Sequence, residues 1–285
     1  MEIIKKGKKQ FKANLHCHST ISDGKLTPEE LKEAYKSHGY SVLAITDHEY
    51  PYDHTDLSES DFLMLTGYEA YIRPDEKGRT RPFVSEIHIN LFAKDPHNTA
   101  FIGFSDPFCK YEKDPVKREA FNKIYLGRPR EYTVDYVNEF VKVAKENGYI
   151  CSHNHPYWSL ESWEQVLKYD GFFSMEMCNY SSFLLNATEY NSILYNKMLN
   201  NGKRIFCHSA DDNHNKAADD SADCDSFGGF TMIMPKDFTY DSVIEAMETG
   251  EIYSSMGPLF KEVSIMDEYG RYADTRGYFR DELEF

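Results

Sequence analysis

A chain of 285 residues, 41% of them hydrophobic, is long enough to bury one large α/β core, and its pattern reads as a single domain over 1–285. Lysine and arginine total 32 against 47 aspartate and glutamate, a formal charge of −15 that opposes binding to polyanions and anionic membrane surfaces, so neither a nucleic acid nor a membrane is the expected partner. No run approaches the roughly 20 consecutive apolar residues of a membrane span, and the basic start Met1-Glu2-Ile3-Ile4-Lys5-Lys6 has no apolar stretch behind it, which makes the cytoplasm the expected setting.

The first predicted strand covers 11–16 and runs into Asn14-Leu15-His16-Cys17-His18-Ser19-Thr20-Ile21-Ser22-Asp23-Gly24. Residues two apart on a strand share a face, so His16 and His18 can converge on one ion, while Cys17 points to the core. Asp23 follows in a glycine-containing turn. A helix is predicted from Thr27, with Pro28 at its first position, Glu30 completing a capping box and Gly39 ending it. A continuously apolar strand at 41–46 then delivers Asp47 and His48, a strand at 62–66 precedes Glu69, and a strand at 86–92 contains His88.

From 95 to 131 no period is clear and the stretch is rich in Phe, Tyr, Pro and basic residues. Such a long connection reads either as a lid or as a surface excursion with its own packing cluster. Beyond it come a helix at 134–147, a strand at 149–152 leading to His153 and His155, a strand at 172–177 carrying Glu176 and closing on Asn179, and a helix at 182–201. Strands at 204–208 and 230–234 follow, with Asp211, Asp212 and His214 between them. Repeated alternation of strand and helix predicts a barrel of mostly parallel strands with its active site at their C-terminal ends. The six cysteines are scattered with no CxxC pair, as free thiols in a reducing compartment would be.

Polar residues gather at those strand ends: His16 and His18, Asp47 and His48, Glu69, His153 and His155, and Asp211, Asp212 and His214, with His88 inside its strand. Imidazole mixed with carboxylate suits zinc, manganese or iron rather than magnesium or calcium. More than six candidate ligands exceed one tetrahedral site, so two or three divalent transition-metal ions are expected, with Glu69 suited to bridging. Clustered ions serve displacement at phosphorus, which makes hydrolysis of a phosphate ester the expected chemistry.

The motifs His16-x-His18 with Ser22-Asp23-Gly24, Ile45-Thr46-Asp47-His48, Gly67-Tyr68-Glu69, His155-Pro156 and Asp212-Asn213-His214, together with Gly250-Glu251-Ile252-Tyr253-Ser254-Ser255-Met256-Gly257-Pro258, resemble those of the PHP (polymerase and histidinol phosphatase) superfamily of metal-dependent phosphoesterases. The resemblance implies a distorted (βα)7 TIM-like barrel and a trinuclear site. In it, His16, His18, Glu69 and Asp212 would hold one metal, Glu69, His88 and His155 a second, and Asp23, His48 and His214 the third. The function so implied is a phosphatase acting on a small phosphomonoester through a metal-activated hydroxide. The alternatives are a phosphodiesterase or nuclease on nucleotides, a carboxylic or carbamic ester hydrolase, and a non-catalytic metal-binding barrel.

His153 and Asp211 are further candidates, His153 as a catalytic or substrate contact and Asp211 as a group orienting a ligand. Glu176 and Asn179 could reach substrate, and Arg73, Arg79, Arg81, Arg128 and Arg130 are natural partners for phosphate because a guanidinium binds its oxygens bidentately. Asp47 reads as a ligand-orienting or capping group, His208 as a core histidine, and His38, His54 and His97 as surface residues. The 95–131 segment is the expected seat of specificity.

Overall fold

The structure, a computed structural model, describes residues 2–74, 85–186 and 189–266. Its strands are β1 (Glu2–Ile4), β2 (Phe11–Asn14), β3 (Val42–Ala44), β4 (Leu63–Leu65), β5 (Gly67–Ile72), β6 (Ile87–Ala93), β7 (Phe101–Ile102), β8 (Lys123–Ile124), β9 (Tyr149–Asn154), β10 (Ser174–Asn179), β11 (Phe206–Ala210), β12 (Phe230–Ile233), β13 (Ile252–Ser255) and β14 (Val263–Ser264). Its α-helices are α1 (Pro28–Ser37), α2 (Pro115–Ala120), α3 (Val134–Glu146), α4 (Trp163–Val166), α5 (Tyr180–Asn186), α6 (Ser192–Asn200) and α7 (Tyr240–Thr249). The start of α1 forms as its sequence predicts: the Glu30 N–H donates to the Thr27 hydroxyl at 3.2 Å, and the Thr27 N–H donates to the Glu30 carboxylate at 2.8 Å.

One five-stranded sheet has the order β11-β10-β9-β6-β5 and the other β13-β12-β2-β3-β4. Strands β9, β10 and β11 are parallel, as are β2, β3 and β4. The pairs β5/β6, β6/β9, β12/β2 and β12/β13 are antiparallel. The sheets are therefore mixed, not mostly parallel as expected, and among the described residues they do not close into one barrel. The cause is legible in β6, every residue of which is buried. A strand covered on both faces loses the alternation of apolar and polar residues whichever way its neighbours run, so the pattern reports burial and not direction.

The chain changes sheets at Thr66, between the end of β4 and the start of β5. A Cβ on Gly67 would lie 2.5 Å from the Leu91 carbonyl oxygen, so the crossing needs glycine there. It also places Glu69 inside a strand instead of beyond one. Single bridges from Cys17 to Asn213 and from His48 to Glu69 join the two sheets on either side of the centre.

The 95–131 segment is built into the core. Strands β7 and β8 pair, Asp114 caps α2, and Phe101, Ile102, Phe104 and Cys109 join the cluster that includes Phe140 and Val141 of α3. The helix predicted over 182–201 is two helices, α5 and α6. Between them the buried Glu189 carboxylate accepts the backbone N–H groups of Tyr157 and Trp158 and the Asn191 amide, while the Asn191 N–H donates to the Met177 carbonyl. Those bonds draw the chain inward where a continuous helix would have left it on the surface. His54, expected at the surface, is 3% exposed. All six cysteines are free thiols, and no helix among the described residues is long and apolar enough to cross a membrane.

Candidate metal centre

Backbone pairing brings the distant motifs together. The His18 N–H donates to the Asn213 carbonyl and the Asp212 N–H to the His16 carbonyl, at 3.0 and 2.8 Å, which zips the first motif against the last. The Glu49 N–H donates to the Glu69 carbonyl at 2.8 Å and so sets His48 beside Glu69. Asp47 folds the loop that carries Asp23: its carboxylate accepts the Ser19 and Ser22 N–H groups and both hydroxyls. Gly24 lets that loop close, because a Cβ there would overlap the His18 carbonyl.

Four overlapping groups result, each with its donor atoms within 4.8 Å of one another: His18, Asp23, His48 and His214; His16, His18 and Glu69; His16, His155 and Asp212; and His48, Glu69 and His88. Together they use every ligand expected from the sequence. The grouping differs from that expectation in detail, since His18 faces the Asp23 group as well as Glu69, and His88 and His155 fall in separate groups. Glu69 is common to two groups and fully buried. Its Oε1 lies 3.2 Å from His16 Nε2, 3.1 Å from His88 Nδ1 and 3.2 Å from His155 Nε2. Its Oε2 lies 2.8 Å from His48 Nδ1, yet neither of those two atoms has a hydrogen-bond partner. Two buried polar atoms that close, without a hydrogen bond, are arranged as two donors facing a common cation would be.

The other ring nitrogens are anchored from behind. His16 Nδ1 meets the Glu176 carboxylate at 2.7 Å, His155 Nδ1 meets the Ser159 hydroxyl at 3.1 Å, and His214 Nδ1 meets the Asp212 carbonyl at 3.0 Å. That fixes each ring with Nε2 toward the centre, the arrangement that orients metal-binding histidines. Glu176→Gln should therefore weaken affinity for a transition metal by about 10–100-fold and leave folding intact. Metal titration beside circular dichroism checks this, and an unchanged affinity would contradict it.

Carboxylates and imidazoles at the centre shift one another in opposite directions. Burial disfavours a charged His16, but Asp212, Glu69 and Glu176 outweigh it and hold its pKa well above normal. His88 is pushed up to about 10 against the same burial penalty, chiefly by Glu69. His18 goes the other way, down to about 4, through burial and its neighbours His48 and His214. Despite burial, Glu69 and Asp212 are kept ionised, His16 being the largest counter-charge for each. Carboxylates held ionised around imidazoles are the donor set that a divalent ion selects.

Several expected contacts do not reach this centre. His153 turns away and pairs with Glu161 at 2.6 Å. Sharing a face with His155 would have needed an unbroken strand, but β9 ends at Asn154 and His155 has φ +21°, so the alternation stops between them. Asn154 takes the inward position instead and donates to Glu69 at 2.8 Å, a contact that nothing in the residue's type or spacing marks. Asn179 donates to Asp212 and Glu176. Asp211, pushed up to about 7 by burial, accepts the Tyr35 hydroxyl and the N–H groups of Phe227, Gly228 and Gly229, which fixes the chain beside Asp212. His208 bonds Ser174 in the core. Arg128 engages Glu139, and Arg130 is buried against Glu49. Arg79 and Arg81 lie outside the described residues.

The mouth of the centre is a cavity of about 160 Å³ in which Asp23, His48, Glu86 and His88 face Tyr71, Arg73, Lys110 and Tyr111, so that of the arginines expected to meet phosphate Arg73 is the one that lines it among the described residues. The 95–131 segment supplies Lys110 and Tyr111. The Tyr111 ring stacks 6.2 Å from His48, and its hydroxyl is pushed up in pKa by burial and by the neighbouring Asp23 carboxylate. On the other side Trp158 packs edge-on against His88 and His155. A larger cavity of about 700 Å³ lies at the opposite ends of β9–β11, between Ile150, Phe173 and Phe206, and contains none of the candidate ligands.

Comparison with known proteins gives the same motifs a context. The PHP domain family matches residues 14–183. A 5'-3' exoribonuclease of Haemophilus influenzae is 53% identical over 95 residues, which are 32% of this chain and 33% of that protein. The chain thus spans about a third of that relative's length. Among solved structures, a two-domain protein from Bacteroides vulgatus containing a predicted PHP-like metal-dependent phosphoesterase superposes with a TM-score of 0.51 at 16% identity, over 89% of this chain and 68% of the other. An amidohydrolase from Chromobacterium violaceum superposes with a TM-score of 0.52 at 17% identity, over 85% and 97%. These two likenesses concern the fold.

Proposed function

This chain belongs to the PHP domain family, and on that premise we propose that it is a metal-dependent hydrolase of phosphate esters acting on a small phosphomonoester. The observation that carries the reading is the buried Glu69 carboxylate, within 3.6 Å of ring nitrogens of His16, His18, His48, His88 and His155, with one oxygen unpartnered. The bridges Cys17–Asn213 and His48–Glu69 support reading the two sheets as an interrupted form of a distorted (βα)7 barrel.

In this reading His16, His18, Asp23, His48, Glu69, His88, His155, Asp212 and His214 hold two or three divalent ions of zinc, manganese or iron. The chemistry such ions supply when bound is polarisation of phosphoryl oxygens and acidification of water. The chain's own part is to fix the geometry. Glu176, Ser159 and the Asp212 carbonyl hold three imidazoles in register, Asn154 and Asn179 hold the carboxylates, and Trp158 and Tyr111 keep bulk water from the ring faces of His155 and His48.

A second reading, a phosphodiester substrate of nucleotide type, is favoured by the identity to the Haemophilus exoribonuclease across a third of the chain. The net charge of −15 weighs against a long polyanion. Metal analysis after reconstitution, with phosphate release from sugar phosphates, nucleotides and a bis-ester by wild type and His16→Ala, tests both readings. Expected are more than one equivalent of transition metal per chain and release by wild type alone. Less than about one equivalent, or equal release by both proteins, would overturn the assignment.

A further inference from the structure

Glu69, Asp212 and the histidines are the groups that could hold metals, and the mouth of the centre is lined as well by Tyr71, Arg73, Lys110 and Tyr111, which have no part in that set; Arg73 lies over the Tyr71 ring at 4.9 Å. Tyr71 is 4% exposed, and its hydroxyl is buried without a hydrogen-bond partner, which is a costly state for a phenol in a polar cavity. The Lys110 ammonium lies 5.6 Å from the Tyr71 ring centroid and 4.8 Å from that of Tyr111, and among the described residues it has no ion-pair partner. Both residues line the same cavity as His48 and His88. The carboxylates in that cavity are engaged elsewhere: Asp23 faces His48, His214 and Tyr111, and Glu86 faces His88.

A donor hydroxyl and an ammonium side by side, beside a cluster of metal-binding groups, form an anion subsite. We infer that Tyr71 and Lys110 bind the non-bridging oxygens of the substrate's phosphoryl group, and that Lys110 makes the site select a dianionic monoester over a monoanionic diester. The inference rests on the phosphoesterase reading above and deepens it. Its electrostatic basis is charge count. A monoester near neutral pH carries a second negative charge that a diester lacks, and a cation at the rim of a low-dielectric mouth interacts with that extra charge. The tyrosine contributes direction and the lysine contributes charge. Lys110 arrives on the 95–131 segment, whose anchoring by Phe101, Ile102 and Phe104 in the core gives it a fixed position.

The test uses the metal-loaded protein, Tyr71→Phe, Lys110→Met and Lys110→Arg. Calorimetry measures binding of inorganic phosphate, and kinetics measure 4-nitrophenyl phosphate against bis(4-nitrophenyl) phosphate. Expected is an about tenfold loss of phosphate affinity in Tyr71→Phe and in Lys110→Met, with an about tenfold drop in kcat/KM for the monoester. The diester carries one negative charge where the monoester carries two, so it should fall by only about threefold in Lys110→Met, and Lys110→Arg should recover most of both losses because it restores the charge. Unchanged phosphate affinity in both losses of function, or equal falls on both esters, would overturn the inference. Phosphate binding is read without turnover. A wild type that binds phosphate through these residues but cleaves neither ester would sink the phosphoesterase reading and leave the anion subsite standing.

Discussion

Glu69→Gln should lower kcat/KM on any ester the protein cleaves by about 10³-fold or more, the factor that a loss of about 4 kcal/mol in transition-state stabilisation produces. The substitution keeps size and shape, so the crossing from β4 to β5 and the backbone pairing of Glu69 with Thr46 and Asp47 survive. What changes is charge and hydrogen-bonding sense. Five histidines present ring nitrogens to this carboxylate at 2.8–3.6 Å, and a glutamine would offer one neutral oxygen and one NH2 group, which repels any cation placed between them. Two of the groups that could hold an ion share this residue, so occupancy should fall in both. Metal analysis of the purified variant, run with circular dichroism to confirm folding, checks it. A variant with full metal content and more than about a tenth of wild-type activity would remove Glu69 from the bridging role.

How far the sequence anticipates this centre depends on the kind of information each residue needs. Spacing carries local facts. The Thr27–Glu30 capping box is formed as written, and the His16-x-His18 and Asp212-x-His214 pairs meet because their flanking backbone zips together. Facts that depend on where a strand stops are lost. His153 and His155 differ by two residues, yet the positive φ at His155 breaks the alternation and sends one to Glu161 and the other to the centre. Direction of pairing is lost too, because β6 is equally buried whether its neighbours run with it or against it. The role of the 95–131 segment is illegible for a third reason. Its aromatic residues say only that it packs, and the placing of Lys110 and Tyr111 at the mouth depends on β7, β8 and a buried arginine whose partner lies in another motif.

That arginine is Arg130, and its removal is the largest stability effect expected from a single change. Its side chain is 1% exposed and its partner Glu49 is 0% exposed. The pairing is two-pronged, Nη1 to Oε1 at 2.5 Å and Nη2 to Oε2 at 2.8 Å, and the guanidinium also donates to the Tyr71 and Gly103 carbonyls. Glu49 follows His48, sits at φ +51° and accepts the Tyr71 N–H. Arg130→Met strands a buried carboxylate and frees two carbonyls, so it should cost about 3–5 kcal/mol and lower Tm by about 6–20 °C. Glu49→Gln should cost a similar amount for the mirror reason. The double variant removes both charges while the glutamine oxygen still serves the Tyr71 N–H, so its loss should fall short of the sum by about 1–3 kcal/mol. Chemical denaturation of the four proteins measures the coupling, and simple additivity would show that the pair does not act as a unit. Because the pair ties the 95–131 segment to the residue after His48 and to the backbone of Tyr71, the same variants should also loosen Lys110 relative to Tyr71. A cycle of phosphate affinities across these proteins would then fall in proportion to the lost stability if the ion pair is what holds the two halves of the mouth together.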